Sequence, residues 1–319
     1  MQYRCIFTEQ DSLPMRNLKS TFLYFLLFLF CICSYAQQLH FKEERDKITL
    51  YEGGSPRFSY QKGTKSKNGK FPRANYIHPL YDTRGDILTE DFPEDHLHHR
   101  GVFWTWHQLF VKGKRVSDPW LCEGIRWKVD SARTEVRKNS GILHTVVYWV
   151  TDSEEAVIRE EASISYTPKE GYYLMDFDIS LTALTDGVEI GGSEDDKGYG
   201  GFSARIKSSD GITFFSAQGE VTPENTPVKT GGWVHAIPDY DTGQKEQTGI
   251  VLFCDPENLP SFQGWILRKN QSMQNAAFPG RKPISIPREK PLKFRNRLVV
   301  HQGKLTIAKI QGIYRDFIR

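Results

Sequence analysis

Polar and apolar residues alternate with period two through much of the chain. In residues 172–182, Leu174, Asp176, Asp178 and Ser180 fall on one face and Met175, Phe177 and Ile179 on the other. That alternation marks a strand with one buried face. Residues 125–129, 143–151 and 156–166 follow the same rule, separated by the turn chemistry of Lys138-Asn139-Ser140-Gly141 and Pro168-Lys169-Glu170-Gly171. Further strands are expected at 212–216, 233–237, 249–254, 264–267 and 293–301. The fold class that follows is all-β, a meander of strands covering a broad sheet. Only 305–317 suggests a helix, through the stripe Leu305, Ala308, Ile310, Ile313, Tyr314 and Phe317. Gly312 interrupts it, leaving a final strand as the alternative. Residues 62–70, rich in Gly, Ser, Lys and Asn, are expected to be an exposed loop.

The first 36 residues break the pattern and are expected to be a signal peptide. Arg16 and Lys19 precede an unbroken apolar run over 22–33, and Ser34-Tyr35-Ala36 supplies the small residues of a cleavage site. Met15 is an alternative start. The run is shorter than the roughly 20 residues of a spanning helix, so secretion to the periplasm or beyond is expected rather than stable membrane insertion. Residues 37–319 are then expected to form a single domain, with no boundary evident within them. The formal net charge of +3 lies partly in the leader, which leaves no basic footprint for nucleic acid. Beyond the leader only Cys122 and Cys254 remain, either as one disulfide or as two buried thiols.

Chemistry concentrates in one stretch. Four of the nine histidines, His96, His98, His99 and His107, lie within twelve residues that also hold Arg100, Trp104 and Trp106, with Asp91, Glu94 and Asp95 just before. Histidine titrates near neutrality and ligates metals, arginine grips carboxylates, and tryptophan offers a flat face to a sugar ring. If 96–99 is extended, His96 and His98 share one face and Asp95 and His99 the other. Three readings compete. One or two histidines are buried and hydrogen-bonded while the rest are solvated; or His96, His98 or His99 joins Asp95 or Glu123 around a divalent metal; or one histidine moves a proton while Arg100 holds an anion. A second constellation, residues 191–202, is glycine-rich and carries Lys197 and Tyr199. It lacks phosphate-loop spacing, and its alternative is a glycine-rich turn with an acidic tip. Trp233, Trp265 and residues 274–280 are either further lining of the same cleft or core.

His78-Pro79-Leu80, residues 91–101 with Asp95, His98, His99, Arg100 and Gly101, the run Lys197-Gly198-Tyr199-Gly200-Gly201 and the ending 297–303 together resemble a bacterial family labelled methane oxygenase (PmoA)-like. The resemblance implies a large antiparallel β-sandwich, galactose-mutarotase-like or polysaccharide-lyase-like, as a single catalytic domain over residues 37–319, in carbohydrate-degrading bacteria. The oxygenase activity in that label is not expected, because nothing after Ala36 has the length of apolar run that crosses a bilayer.

Reaction classes are weighed by the groups at hand. Glycoside hydrolysis needs two carboxyl groups, which Glu123, Asp95, Glu194 and Asp196 could supply, but nothing pairs any two of them. β-Elimination next to a uronate carboxylate needs a cation, a base and an acid. His96, His99 and Tyr199 match the catalytic roles by type; Arg100, Lys197, His107 and Glu123 suit substrate binding, with Trp104 and Trp106 as sugar platforms. The expected activity is a dehydratase or lyase acting on an anionic oligosaccharide and giving a 4,5-unsaturated uronate. The alternatives are a glycoside hydrolase, a non-catalytic sugar-binding protein and a metal-dependent oxidoreductase.

Overall fold

A computed structural model of the chain describes Met1 and residues 38–208, 211–239, 247–259, 261–270 and 273–319. The expected signal peptide and the alternative start at Met15 lie outside the described residues. Leu39–Arg319 forms one compact unit.

Two large antiparallel sheets dominate that unit, with a four-stranded and a two-stranded sheet beside them. The nine-stranded sheet runs, edge to edge, Ile125–Arg137, Ser140–Thr151, Ala156–Lys169, Tyr172–Ala183, Leu292–Gln302, Thr248–Cys254, Trp233–Pro238, Ile212–Ser216 and Gly219–Val221. The eight-stranded sheet runs Leu39–Glu43, Lys47–Glu52, Ser55–Gln61, Tyr76–Leu80, Val102–Trp106, Gly200–Arg205, Met273–Ala277 and Gly264–Ile266. One core cluster draws on both: Leu50, Phe58, Trp104, Trp106 and Phe202 from the second sheet, and Leu143, Trp149, Ile164, Phe177 and Leu298 from the first. The expected all-β antiparallel sandwich is what the chain adopts.

Alternation along Val102–Trp106 decides what reaches the outside. Trp104 and Trp106 join the inter-sheet core, and their indole N–H groups donate to Glu160 Oε1 at 2.8 Å and to the Phe278 carbonyl at 2.6 Å. Phe103, between them, belongs instead to a separate cluster with Tyr76, Trp120 and Met273 on the opposite face of the sheet. The candidate site is built over that outer face.

The smaller expectations divide. Residues 305–317 do form a helix, Ile307–Phe317, capped by Thr306, whose side chain accepts from the Lys309 N–H. Its Ile310, Ile313 and Phe317 pack on Trp233, Val251, Phe253 and Val299, each buried side chain contributing roughly 1.5–3 kcal/mol. Residues 62–70 are not a simple loop: Lys65–Lys67 pairs with Lys70–Arg73 as a small hairpin. Cys122 and Cys254 are both buried free thiols.

Candidate active site

The histidine stretch is a double turn rather than a strand. The His96 N–H donates to the Pro93 carbonyl at 3.1 Å and the His99 N–H to the His96 carbonyl at 2.9 Å. Such a turn brings residues three apart together, so His96 stacks on His99 with ring centroids 4.6 Å apart and planes within 3° of parallel. His98 stands edge-on to both. The face-sharing expected of an extended segment is therefore replaced by the His96–His99 pair.

Arg100 and Gly101 hold the turn in place. Arg100 is fully buried and donates to the carbonyls of Leu97 at 2.8 Å, of His99 at 3.2 Å and of Phe71. Its Nε lies 3.5 Å from Asp91 Oδ1. A guanidinium so engaged and shielded is a structural clamp, and the substrate-holding role expected of it is corrected. At Gly101 a Cβ would overlap the Ile77 carbonyl oxygen, so this position needs glycine because backbone passes against backbone.

A cleft of about 390 Å³ opens beside the turn, lined by His96, His98, His99, His107, Trp120, Leu121, Ser193, Asp195, Lys197, Tyr199, Arg268, Asn270 and Met273. It brings together His96, His98, His99, His107, Lys197 and Tyr199 from the expected site. It does not bring in Trp104 or Trp106, which are 1% and 0% exposed in the core and cannot serve as sugar platforms. Nor does Glu123 line it; that residue is exposed and hydrogen-bonds through its backbone to Asp118. Trp233 and Trp265 are core residues too.

The aromatic wall comes from elsewhere. Trp120 stacks on His107 at 5.2 Å and 19°, meets Tyr199 at 5.4 Å and stands edge-on to His99 at 6.2 Å. It is placed by the turn Asp118-Pro119-Trp120, whose Trp120 N–H donates to the Trp106 carbonyl at 2.8 Å. Asp118 Oδ2 in turn accepts from His107 Nδ1 at 3.0 Å, making a His–Asp pair. His96 Nδ1 and Asp95 Oδ2, 2.8 Å apart, make a second. Residues 193–199 form the facing wall: Ser193 Oγ and the Lys197 N–H donate to Asp195 Oδ1, and the Lys197 ammonium lies 3.4 Å from Asp195 Oδ2. Arg268 completes it, donating to the carbonyls of Glu224, Asn225 and Leu267 and lying 5.6 Å from the centre of the Tyr199 ring.

Electrostatics sort these groups into donors and acceptors. Burial, then the neighbouring His96, His107, Arg73 and Arg100, pull His98 down to about 4. Burial, then His98, His96, Arg205 and Arg100, hold His99 lower still. Both imidazoles are neutral at physiological pH. Burial raises the Tyr199 phenol, with Arg268 opposing, so it is protonated and can donate. Asp195 lies below its ordinary range because hydrogen bonds from Ser193 and Lys197 and the Lys197 charge outweigh its burial.

The fit of a metal can be judged from the rings. A metal bound to an imidazole lies in the ring plane, and no single ion lies in two parallel, stacked planes. Asp95 and an arginine moreover occupy the Nδ1 atoms of His96 and His99. Among the described residues no group of three His, Cys, Asp or Glu side chains is arranged to hold a metal ion.

Sequence reasoning missed Trp120, Arg268 and Asn270, and took Ser193 and Asp195 only as part of the glycine-rich stretch 191–202. Asp118-Pro119-Trp120, a tryptophan displayed at an Asp-Pro turn, was the one usable signal; Arg268 carries none.

Together these features define an all-β sandwich with neutral imidazoles, a phenol and two cations gathered in one outer-face cleft. The chain belongs to the family described as a family of unknown function (DUF6807), which matches residues 47–315 and carries no methane-oxygenase label. No curated protein matches it. Among solved structures, a protein from Synechocystis sp. is 11% identical, with 83% of this chain and 96% of that one covered and a TM-score of 0.34. Galactose 1-epimerase from Lactobacillus acidophilus is 9% identical, with 84% and 99% covered and a TM-score of 0.35. An alpha-galactosidase from Geobacillus stearothermophilus is 10% identical over 84% of this chain, which spans only 41% of that enzyme, at a TM-score of 0.33. Among the described residues no helix is long and apolar enough to cross a membrane.

Proposed function

We propose that the cleft is the active site of a carbohydrate-active lyase or dehydratase that removes the proton beside a uronate carboxylate and expels the β-oxygen. The observation that carries this reading is the convergence of neutral imidazoles, a protonated phenol and two cations, Lys197 and Arg268, on one cleft. Its volume falls within the roughly 300–1,000 Å³ of small-molecule sites.

Each step has a group of the right kind. A uronate carboxylate, paired with Lys197 and Arg268, loses part of its negative charge, which acidifies the C5–H bond. A neutral imidazole takes that proton. The C4–O bond then breaks as C4=C5 forms, and the departing oxygen takes a proton from Tyr199 or a second imidazole. A departing sugar makes the enzyme a lyase, a departing water a dehydratase. A hydrolase reading finds less support, since of the cleft-lining residues only Asp195 brings a carboxylate, and Lys197 already occupies it. Export through residues 1–36 belongs to the same reading, as does the galactose-mutarotase-like character of the sandwich.

The test is ultraviolet absorbance of unsaturated uronate during incubation with uronate-containing oligosaccharides, with mass spectrometry of the products. Rising absorbance, with Tyr199→Phe lowering kcat by about 10²–10⁴-fold, is the expected result. Products that have gained water would replace the reading with hydrolysis, and binding without turnover on matching substrates would reduce the protein to a sugar-binding module.

A further inference from the structure

The geometry points to Arg205 as a positioning residue that gives the two stacked imidazoles opposite proton polarity, so that His96 offers the cleft a lone pair and His99 an N–H. This rests on reading the cleft as a site of proton transfer.

Arg205 ends the strand Gly200–Arg205, opposite Met273. Its backbone is tied on both sides, its N–H donating to the Gly101 carbonyl at 2.7 Å and its carbonyl accepting from Glu90 at 3.1 Å. The side chain is 4% exposed. Its guanidinium reaches Glu90 Oε2 at 2.7 Å, Asp95 Oδ1 at 2.8 Å and His99 Nδ1 at 3.1 Å.

A guanidinium has donors and no acceptor. His99 Nδ1 must therefore accept, and the ring proton of neutral His99 sits on Nε2. Asp95, fixed by Arg205 through one oxygen, presents the other to His96 Nδ1 at 2.8 Å. An ionised carboxylate only accepts, so His96 in its neutral form carries its proton on Nδ1 and leaves Nε2 bare. One cation thus imposes opposite tautomers on two parallel rings whose centroids are 4.6 Å apart. A pair of identical tautomers would hold two bases or two acids; opposite ones supply one of each, as elimination requires. Asp95 in the Asp-x-x-His-His-Arg-Gly run acquires a role here, as the link between Arg205 and His96.

Ring-nitrogen NMR of the full-length protein with ¹⁵N-labelled histidine reads the tautomers without any substrate. Signals are assigned with His96→Gln and His99→Gln. Nε2–H for His99 together with Nδ1–H for His96 is expected; the same tautomer on both rings would overturn the proposal. In Arg205→Gln the single-tautomer signature of His99 should be lost while Arg205→Lys retains it, and an unchanged His99 signature in Arg205→Gln would equally sink the idea. Should Arg205→Gln not fold, the wild-type tautomers still decide. Opposite tautomers with no uronate turnover would instead refute the lyase reading and leave the polarity standing. With turnover, Arg205→Gln should lower kcat about 10²-fold and leave KM within about twofold, the mark of lost proton transfer rather than lost binding.

Discussion

Arg100 and Lys197 carry the same charge in different surroundings, and their loss should register in different assays. Arg100→Ala removes the guanidinium that donates to the carbonyls of Leu97, His99 and Phe71 and lies beside Asp91. Breaking a buried pair of this kind costs about 3–5 kcal/mol, so urea unfolding should show a loss of that order; a loss under about 1 kcal/mol would show that Arg100 is no clamp. Lys197→Met, at a half-exposed position, should stay within about 0.5 kcal/mol of wild type yet raise KM for a uronate about tenfold. The stacked histidines add a stereochemical expectation. Both stand on one wall, so proton and oxygen leave from the same ring face, and substrates with H5 and O4 cis, such as glucuronate, should exceed galacturonate by about 10²-fold in kcat/KM. A preference for galacturonate in a side-by-side absorbance assay would rule out the pair as joint base and acid. The residue types around His96 marked the place of the candidate site in the sequence. Their facing did not follow, because the turn at 93–99 depends on the long-range bond from Arg100 to Phe71 and on a positive φ at Phe92.

At the scale of elements, period-two alternation located the long strands because each buries a single face. The same alternation, carried through Val102–Trp106, already sets Trp104 and Trp106 opposite to Phe103, and it is their inward face that removes them from the site. The hairpin Lys65–Lys67 with Lys70–Arg73 was illegible because its burial is slight and its pattern too short. The helix Ile307–Phe317 follows from its stripe, with Gly312 as its weak point. Gly312 lacks a positive φ, and a Cβ there would meet nothing closer than Arg315 at 4.0 Å. Gly312→Ala should therefore stabilise the protein by about 0.5–1 kcal/mol, and Thr306→Ala should cost about 1 kcal/mol through the lost N-cap. Thermal unfolding of the two variants checks both signs, and destabilisation by Gly312→Ala would mean that the helix packs more tightly than this spacing allows.

Across the whole molecule, the cleft joins the histidine turn and His107, Trp120, the wall from Ser193 to Tyr199, and Arg268, Asn270 and Met273 only because Gly200–Arg205 pairs between Val102–Trp106 and Met273–Ala277. No local pattern encodes that strand order, which is why Arg268 and Arg205 escaped sequence reasoning while Tyr199 did not. The same packing strands several imidazoles away from water on both sheets. Burial, with Lys65 and Arg100 nearby, pulls His78 down to about 4, and burial, with His301 alongside, pulls His235 down to about 3. His98 lies at about 4 for the reasons given above. Each would protonate near 6.5 once unfolded, so between that pH and about 4 the unfolded chain binds more protons than the folded one. Stability is then full above about pH 6.5 and declines with acidification, by up to about 1.4 kcal/mol per pH unit for each group. Urea midpoints measured from pH 7.5 to 4.5 should fall in step. His235→Gln, which cannot take up a proton in either state, should make the decline shallower by one proton's worth. An identical slope in that variant would mean that His235 is protonated within the fold, and that its 2.8 Å contact with His301 does not hold it neutral.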